Sequence, residues 1–269
     1  MSIEVMLIIG LGVFLIAFAF APLGMGGGML FVPLLHYGAG WAIDGRIIAV
    51  SLTLTAVVSY GSGLAHRRKG FVDDSVVKLG LVGAIPGAIL GVMIVSLVGT
   101  YMDTLFKALS LAMISWAIIK TISKMKVNEE ESKALLDYPV EVLPLRIGAA
   151  VGGVLSSVLA IGAGVVYVPI VRTFAHLGPR RAIGSSLHFM MAVIPVAILT
   201  HLAFLPSEAV QQLTSEWKFI GGLATLAFFG SRMGALFGIE RLSESTIMKG
   251  FLAIIIIVGV RYIIDLTGF

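Results

Sequence analysis

Gly24–Pro33 reads GMGGGMLFVP, and Ala160–Pro169 reads AIGAGVVYVP. The two stretches align without a gap at an offset of 136 residues and share Gly26/Gly162, Gly28/Gly164, Val32/Val168 and Pro33/Pro169. Both lie inside long apolar runs. A glycine inside a helix costs about 1 kcal/mol relative to alanine. Clusters of them at matched positions predict two deliberate helix breaks. From Ile3 to Tyr37 the chain is almost unbroken apolar sequence. One helix of that length would be ~52 Å long, too long for a ~30 Å hydrocarbon core. The break at Gly24–Gly28 resolves this, giving either a helical hairpin or a full span followed by a re-entrant half-helix.

The rest of the composition agrees. Hydrophobic residues make up 58% of the 269 positions and charged ones 13%, about half the charged share of a soluble domain. The apolar runs lack the alternation of an outer-membrane strand. The chain is expected to be an all-α polytopic membrane protein. It has no cysteine, which excludes disulfides, thiol catalysis and cysteine-held metals. No His/Asp/Glu group has metal-ligand spacing and no phosphate loop of the GxxxxGK[ST] type occurs, so no metal and no cofactor is expected. The net charge of +4 reads as positive-inside loops rather than nucleic-acid binding, because no basic patch is interleaved with aromatics. The N-terminal MSIEV carries Glu4 and no basic residue. Ala17-Phe18-Ala19 is therefore read as helix and not as a cleavage site.

The repeat extends beyond the breaks. Further spans are expected at 47–65, 76–98 and 105–122, then at 182–204, 217–239 and 247–264. GAIPGAILG (83–91) matches GSRMGALFG (230–238) at three glycines spaced by four. Such rows let helix backbones approach closely. The fold expectation is two repeats, residues 1–123 and 145–269, joined by a charged cytoplasmic linker at 124–144. Each repeat holds a glycine-broken hairpin followed by three transmembrane helices. Loop charges predict that the repeats are inverted. His66-Arg67-Arg68-Lys69 is basic, whereas its counterpart at 205–216 carries Glu208 and Glu216 and no basic residue. The preceding loop reverses the pattern: nearly neutral at 38–46, but Arg180-Arg181 in the second half. Equivalent loops of opposite charge belong on opposite sides of the membrane.

A helix that begins inside the membrane offers free backbone N–H groups and the positive end of its dipole, which suits an anion. Gly26, Gly27 and Gly28 in one half, and Gly162, Ala163 and Gly164 in the other, are the candidate binding backbone. The competing reading is that these glycines serve only close packing. On the next helix, Thr53 and Thr55 align with Ser186 and His188, with Ser185 beside them. Their hydroxyls either donate to an anion or bond their own helix carbonyls. His188 reads as a proton carrier or a structural histidine. Arg232 pairs with an anionic substrate or snorkels to the interface. The two are expected at similar depth on the cytoplasmic side. His36 and Arg172 are expected at helix ends. Gly184-Ser185-Ser186 with His188 does not make a serine hydrolase, because the GxSxG elbow is absent.

The doubled glycine break followed by Val-Pro, the A-x-G-[ST]-S-L-like stretch at Ala182–Leu187 with a more divergent Ala49–Leu54, and the G-x-x-x-G spans together resemble the sulfite exporter TauE/SafE family, also called the toluene-sulfonate uptake permeases. The resemblance covers essentially the whole chain. It implies a secondary transporter for small sulfur-containing or organic anions, such as sulfite, thiosulfate, sulfoacetate or sulfonates, in a prokaryotic cytoplasmic membrane. An anion channel and a non-transporting membrane scaffold are the competing functions. The partners expected are a small anionic substrate and the lipid bilayer, with no nucleic acid.

Overall fold

The computed structural model describes residues 2–24, 26–124, 139–241 and 244–268. Among them the chain is all helical, with no strand. The first half holds α1 (Ile3–Phe20), α2 (Gly28–Ala39), α3 (Gly45–Arg68), α4 (Asp74–Val98) and α5 (Met102–Lys124). The second holds α6 (Val142–Leu159), α7 (Ala163–Phe174), α8 (Pro179–Phe204), the short α9 (Ser207–Ser215), α10 (Trp217–Arg241) and α11 (Glu244–Thr267). Most of the expected linker, 125–138, lies outside the described residues. The α9 helix occupies a stretch read from sequence as loop: its polar character hid a nine-residue helix.

Among the described residues, six helices are long and apolar enough to cross a membrane: α1, α3, α4, α6, α8 and α10. Helix starts follow from side-chain caps. Asp44 accepts from the Arg46 and Ile47 amides at 2.9 and 3.1 Å, and Asp73 accepts from those of Ser75 and Val76. Such caps satisfy N–H groups that the helix itself cannot. Large apolar side chains on α1, including Leu7, Ile8 and Leu11, are exposed. A continuous apolar exterior of this kind belongs in lipid.

Both breaks form where expected, and each makes a hairpin. A side chain at Gly12 would meet Leu34 at 3.1 Å, and one at Gly38 would meet Ile9 at 3.3 Å, so α2 runs back along α1. Likewise Gly148 faces Ile170 and Gly152 faces Tyr167, which folds α7 back on α6. The returning arms have 12 residues each, roughly 18 Å of helix, too short to span. The first turn is made by Gly24, Gly26 and Gly27, at φ +66°, +69° and +70°. That left-handed region is open to glycine at little cost. The second turn is shorter and uses Ala160 at φ +51°.

The halves pack across each other in matched pairs. α1 lies on α10, and α6 on α4. α3 lies on both α8 and α10, and α8 on both α3 and α4. α5 pairs with α11. Exchanging the halves maps this set of contacts onto itself. The glycine rows make the closest seams. A side chain at Gly83, Gly87 or Gly91 would run into the carbonyls of Arg146, Ala150 or Val154 on α6. One at Gly230 or Gly234 would strike those of Phe14 or Phe18 on α1.

α3 is the central helix: 78% of its apolar window is buried, against 28% for α1. It runs antiparallel to α8. Tyr60 donates to the Met191 carbonyl at 2.9 Å, and Gly45 lies against Leu205. At one end of this pair the 69–73 loop docks on the start of α8. Ser185 accepts from the Asp73 amide at 2.9 Å, and Arg181 pairs with Asp73 at 2.7 Å. At the other end the segment after α8 docks on the start of α3, where Arg46 donates to Gln212 at 2.7 Å. The two equivalent loops therefore sit at opposite ends of α3.

Candidate functional site

The two glycine breaks meet at the centre of the molecule. A Cβ on Gly26 would stand 3.2 Å from the Gly162 Cα, and one on Gly28 would overlap the Ala160 carbonyl. Thr55 closes the same spot from α3, its Oγ1 2.7 Å from the Gly28 Cβ position and its methyl 3.1 Å from that of Gly26. Ser59 Oγ lies 3.7 Å from the Gly26 position. Both α2 and α7 begin here, with Gly27 and Gly162 as their N-caps and neither supplying a side-chain cap. Leu30 and Phe31 turn their amides to the Gly27 carbonyl, while the amides of the first turn lie ahead of the helical ladder. The site thus combines two helix N-termini, each equivalent to roughly half a positive charge, with neutral hydroxyls. Ala163 and Gly164 open α7 beside it.

Each candidate now has a place. Gly27 does not face the second break; it packs inside its own hairpin against Ile16 and Phe31. Thr53 and Thr55 donate to the carbonyls of Ala49 and Ser51, both at 2.8 Å. Their hydrogens are therefore held by their own helix, and Thr55 turns only lone pairs toward the breaks. Ser185 is spent on the 69–73 loop. Ser186 is fully buried with no hydrogen-bond partner in the structure.

His188 packs against Gly63 of α3, its Cε1 3.7 Å from the Cβ position there. Gly63 is two turns, about 12 Å, along α3 from Thr55. The aligned residues Thr55 and His188 therefore occupy different levels. Nδ1 of His188 donates to the Gly184 carbonyl at 2.9 Å, and its Nε2 is buried without a partner. His66 sits one turn beyond Gly63, with Nδ1 3.0 Å from the Ser62 carbonyl.

Arg232 does not join His188. Its backbone lies against Gly61, and positions 61 and 63 point about 200° apart around α3. α3 therefore separates the two residues. The Arg232 side chain is half-buried, flanked on α10 by exposed Phe228, Phe229 and Leu236. That edge suits snorkelling rather than a place at the breaks. His36 and Arg172 sit in the last turns of α2 and α7, and His36 Nδ1 donates to the Trp41 carbonyl at 2.6 Å.

The sequence reading missed a hydroxyl stripe. Ser51, Thr55, Ser59 and Ser62 are all fully buried on α3, spaced by four, four and three residues along one face. The Ser51 and Ser59 hydroxyls have no partner in the structure. The spacing was visible in the sequence, but the pairwise alignment of the halves concealed it. The equivalent positions on α8 are Gly184, His188, Ala192 and Pro195, so the stripe is not repeated there.

The contacts around the 69–73 loop are ionic. Besides Arg181–Asp73, Arg67 pairs with Asp74 at 3.1 Å, and the Arg180 guanidinium lies 5.6 Å over the Phe71 ring. Burial works to raise the Asp73 carboxyl, but hydrogen bonds from Ser75 and Val76 and the Arg181 charge outweigh it and hold it below the usual range.

Residues 9–262 match the family described as sulfite exporter TauE/SafE. Relatives from two strains of Xylella fastidiosa, Temecula1 and 9a5c, are each named probable membrane transporter protein. Both are 27% identical over 252 residues, spanning 93% of this chain and 91% of theirs. A Haemophilus influenzae protein of the same name is 24% identical over 251 residues, spanning 88% of this chain and 90% of its own. No solved structure matches. A doubled glycine break within a helical membrane bundle and a family match over nearly the full length lead to one conclusion: the chain belongs to the sulfite exporter TauE/SafE family of membrane transporters.

Proposed function

We propose that the protein is a secondary active carrier for small sulfur-containing or organic anions of the sulfite, thiosulfate, sulfoacetate or sulfonate class. It works by alternating access in the cytoplasmic membrane of a prokaryote and leaves its substrate chemically unchanged. The observation that carries this reading is the meeting of the two breaks at Gly26/Gly162 and Gly28/Ala160. Two helix N-termini and the Thr55–Ser59 face of α3 converge there. An anion held by backbone dipoles can be released again without breaking a full ion pair. The breaks touch, so binding requires the hairpins to part, and parting them from either side is alternating access.

The repeats are proposed to be inverted. Support comes from the 69–73 and 205–216 loops, which are equivalent in sequence and lie at opposite ends of α3. The basic first loop then faces the cytoplasm. Proton coupling through His188 is part of the proposal, since its Nε2 is buried and free to take a proton.

The test is counterflow in proteoliposomes loaded with sulfite, thiosulfate, sulfoacetate or a carboxylate. Saturable exchange of at least one sulfur oxyanion, lost in Gly28→Ala, supports the carrier. Non-saturable flux points to a channel, and absence of flux for every anion defeats the transport reading.

A further inference from the structure

Each hairpin turns back through a point where its first arm ends, and the last carbonyls of a helix lie beyond its own i→i+4 ladder; that of Ala21 accepts from the Gly24 amide at 3.1 Å. Both ends are secured by a side chain from the next long helix. In the first half the Ser62 hydroxyl donates to the Ala21 carbonyl at 2.6 Å. In the second, His201 Nε2 lies 3.1 Å from the Ser157 carbonyl. A carbonyl only accepts, so that nitrogen carries the hydrogen. Ala21 and Ser157 are related by the same offset of 136 residues that relates the breaks. The donors are not equivalent: in the alignment that pairs Thr55 with His188, the position matching His201 is Arg68, six residues beyond Ser62. Ser62 and His201 are both buried, at 0% and 2% exposure, so neither bond competes with water.

The two bonds secure different ends of the bundle. Ser62 lies toward the Arg68 end of α3, where the turn also packs on α8 through Gly24 against Ile183 and Leu187. His201 lies toward the Phe204 end of α8, beside Gly45 at the start of α3. Because α3 and α8 are antiparallel, these are opposite ends of the bundle.

We propose that Ser62 and His201 are paired positioning residues, each holding one hairpin closed against one side of the membrane, so that their balance sets which side the substrate site opens to. This rests on the carrier reading. Releasing the Ser62 bond frees the first hairpin at the Arg68 end and favours opening there. Releasing the His201 bond favours opening at the opposite end.

The experiment measures the apparent KM for whichever of sulfite, thiosulfate or sulfoacetate the wild type exchanges, on each face of oriented proteoliposomes. Hydrogen exchange of 17–28 and 153–164 is followed in parallel. Ser62→Ala and His201→Ala are expected to move the ratio of the two KM values severalfold in opposite directions. Each is expected to raise exchange in its own hairpin only. Ser62→Thr and His201→Gln retain a donor and should restore the wild-type ratio, and the double alanine variant should lie between the singles. If exchange rises locally while the ratio stays fixed, the bonds are structural and the proposal fails alone. If both alanine variants move the ratio the same way, it also fails. If the wild type exchanges no anion, the carrier reading and the latches fall together.

Discussion

The carbonyl of Ala160 lies against Gly28 where a side chain would begin. One residue belongs to each half, and the contact is backbone to backbone. It accounts for the absence of any Cβ at Gly28: the obstacle is a peptide unit of the other hairpin, which cannot rotate aside as a side chain can.

Gly28→Ala is therefore expected to force the hairpins apart and to cost about 3 kcal/mol, in the range of overpacked cores. Gly222→Ala is the control. It lies in α10 with nothing within 4 Å of its Cβ position and should be neutral or stabilising by up to about 1 kcal/mol. Thermal unfolding in detergent compares them. Equal melting temperatures for both variants would show that the breaks are not in contact.

Gly87→Val and Gly234→Val test the matched seams. Each new side chain would run into a carbonyl, of Ala150 on α6 or Phe18 on α1. Both are expected to lower the melting temperature by several degrees and by similar amounts, because the two seams are equivalent. A large loss for one and none for the other would break the equivalence of the halves.

Asp73 makes stability depend on acid. Its folded-state pKa lies below the unfolded value, so folding favours the carboxylate. That contribution is complete above the unfolded value of about 3.9 and drains away as pH falls through the lower folded value. Asp73→Ala should cost about 1 kcal/mol at pH 7 through loss of the α4 cap, with less from the partly exposed Arg181 pair. The difference from wild type should shrink in melting curves taken below pH 4. A difference that grows there would reverse the assignment.

His188 and Arg232, separated by α3, should behave differently. His188→Gln is expected to abolish substrate-linked proton flux while leaving anion exchange. Arg232→Gln should change the KM for exchange less than twofold. A pH-sensitive dye inside proteoliposomes reads the first and counterflow the second. Unchanged proton coupling in His188→Gln would remove that residue from the proton path, and a tenfold KM loss in Arg232→Gln would return the arginine to the anion site.

The amino-acid sequence alone determined what depends on neighbours along the chain. The long apolar runs, the two breaks and the glycine rows at spacing four all follow from local length, backbone freedom and helical period. Only the tertiary structure decided what those features face. Gly26 and Gly28 meet the other hairpin, whereas Gly27 between them packs inside its own, a distinction set by the direction each backbone presents after the turn. Ser185 was drawn away by the Asp73 amide on a distant loop, and Arg232 was screened from His188 by the width of a helix. Ser62 and His201 perform matched tasks with different side chains from non-equivalent positions, so the alignment of the halves does not pair them. Pairing of this kind arises from distances between helices, which local sequence does not encode.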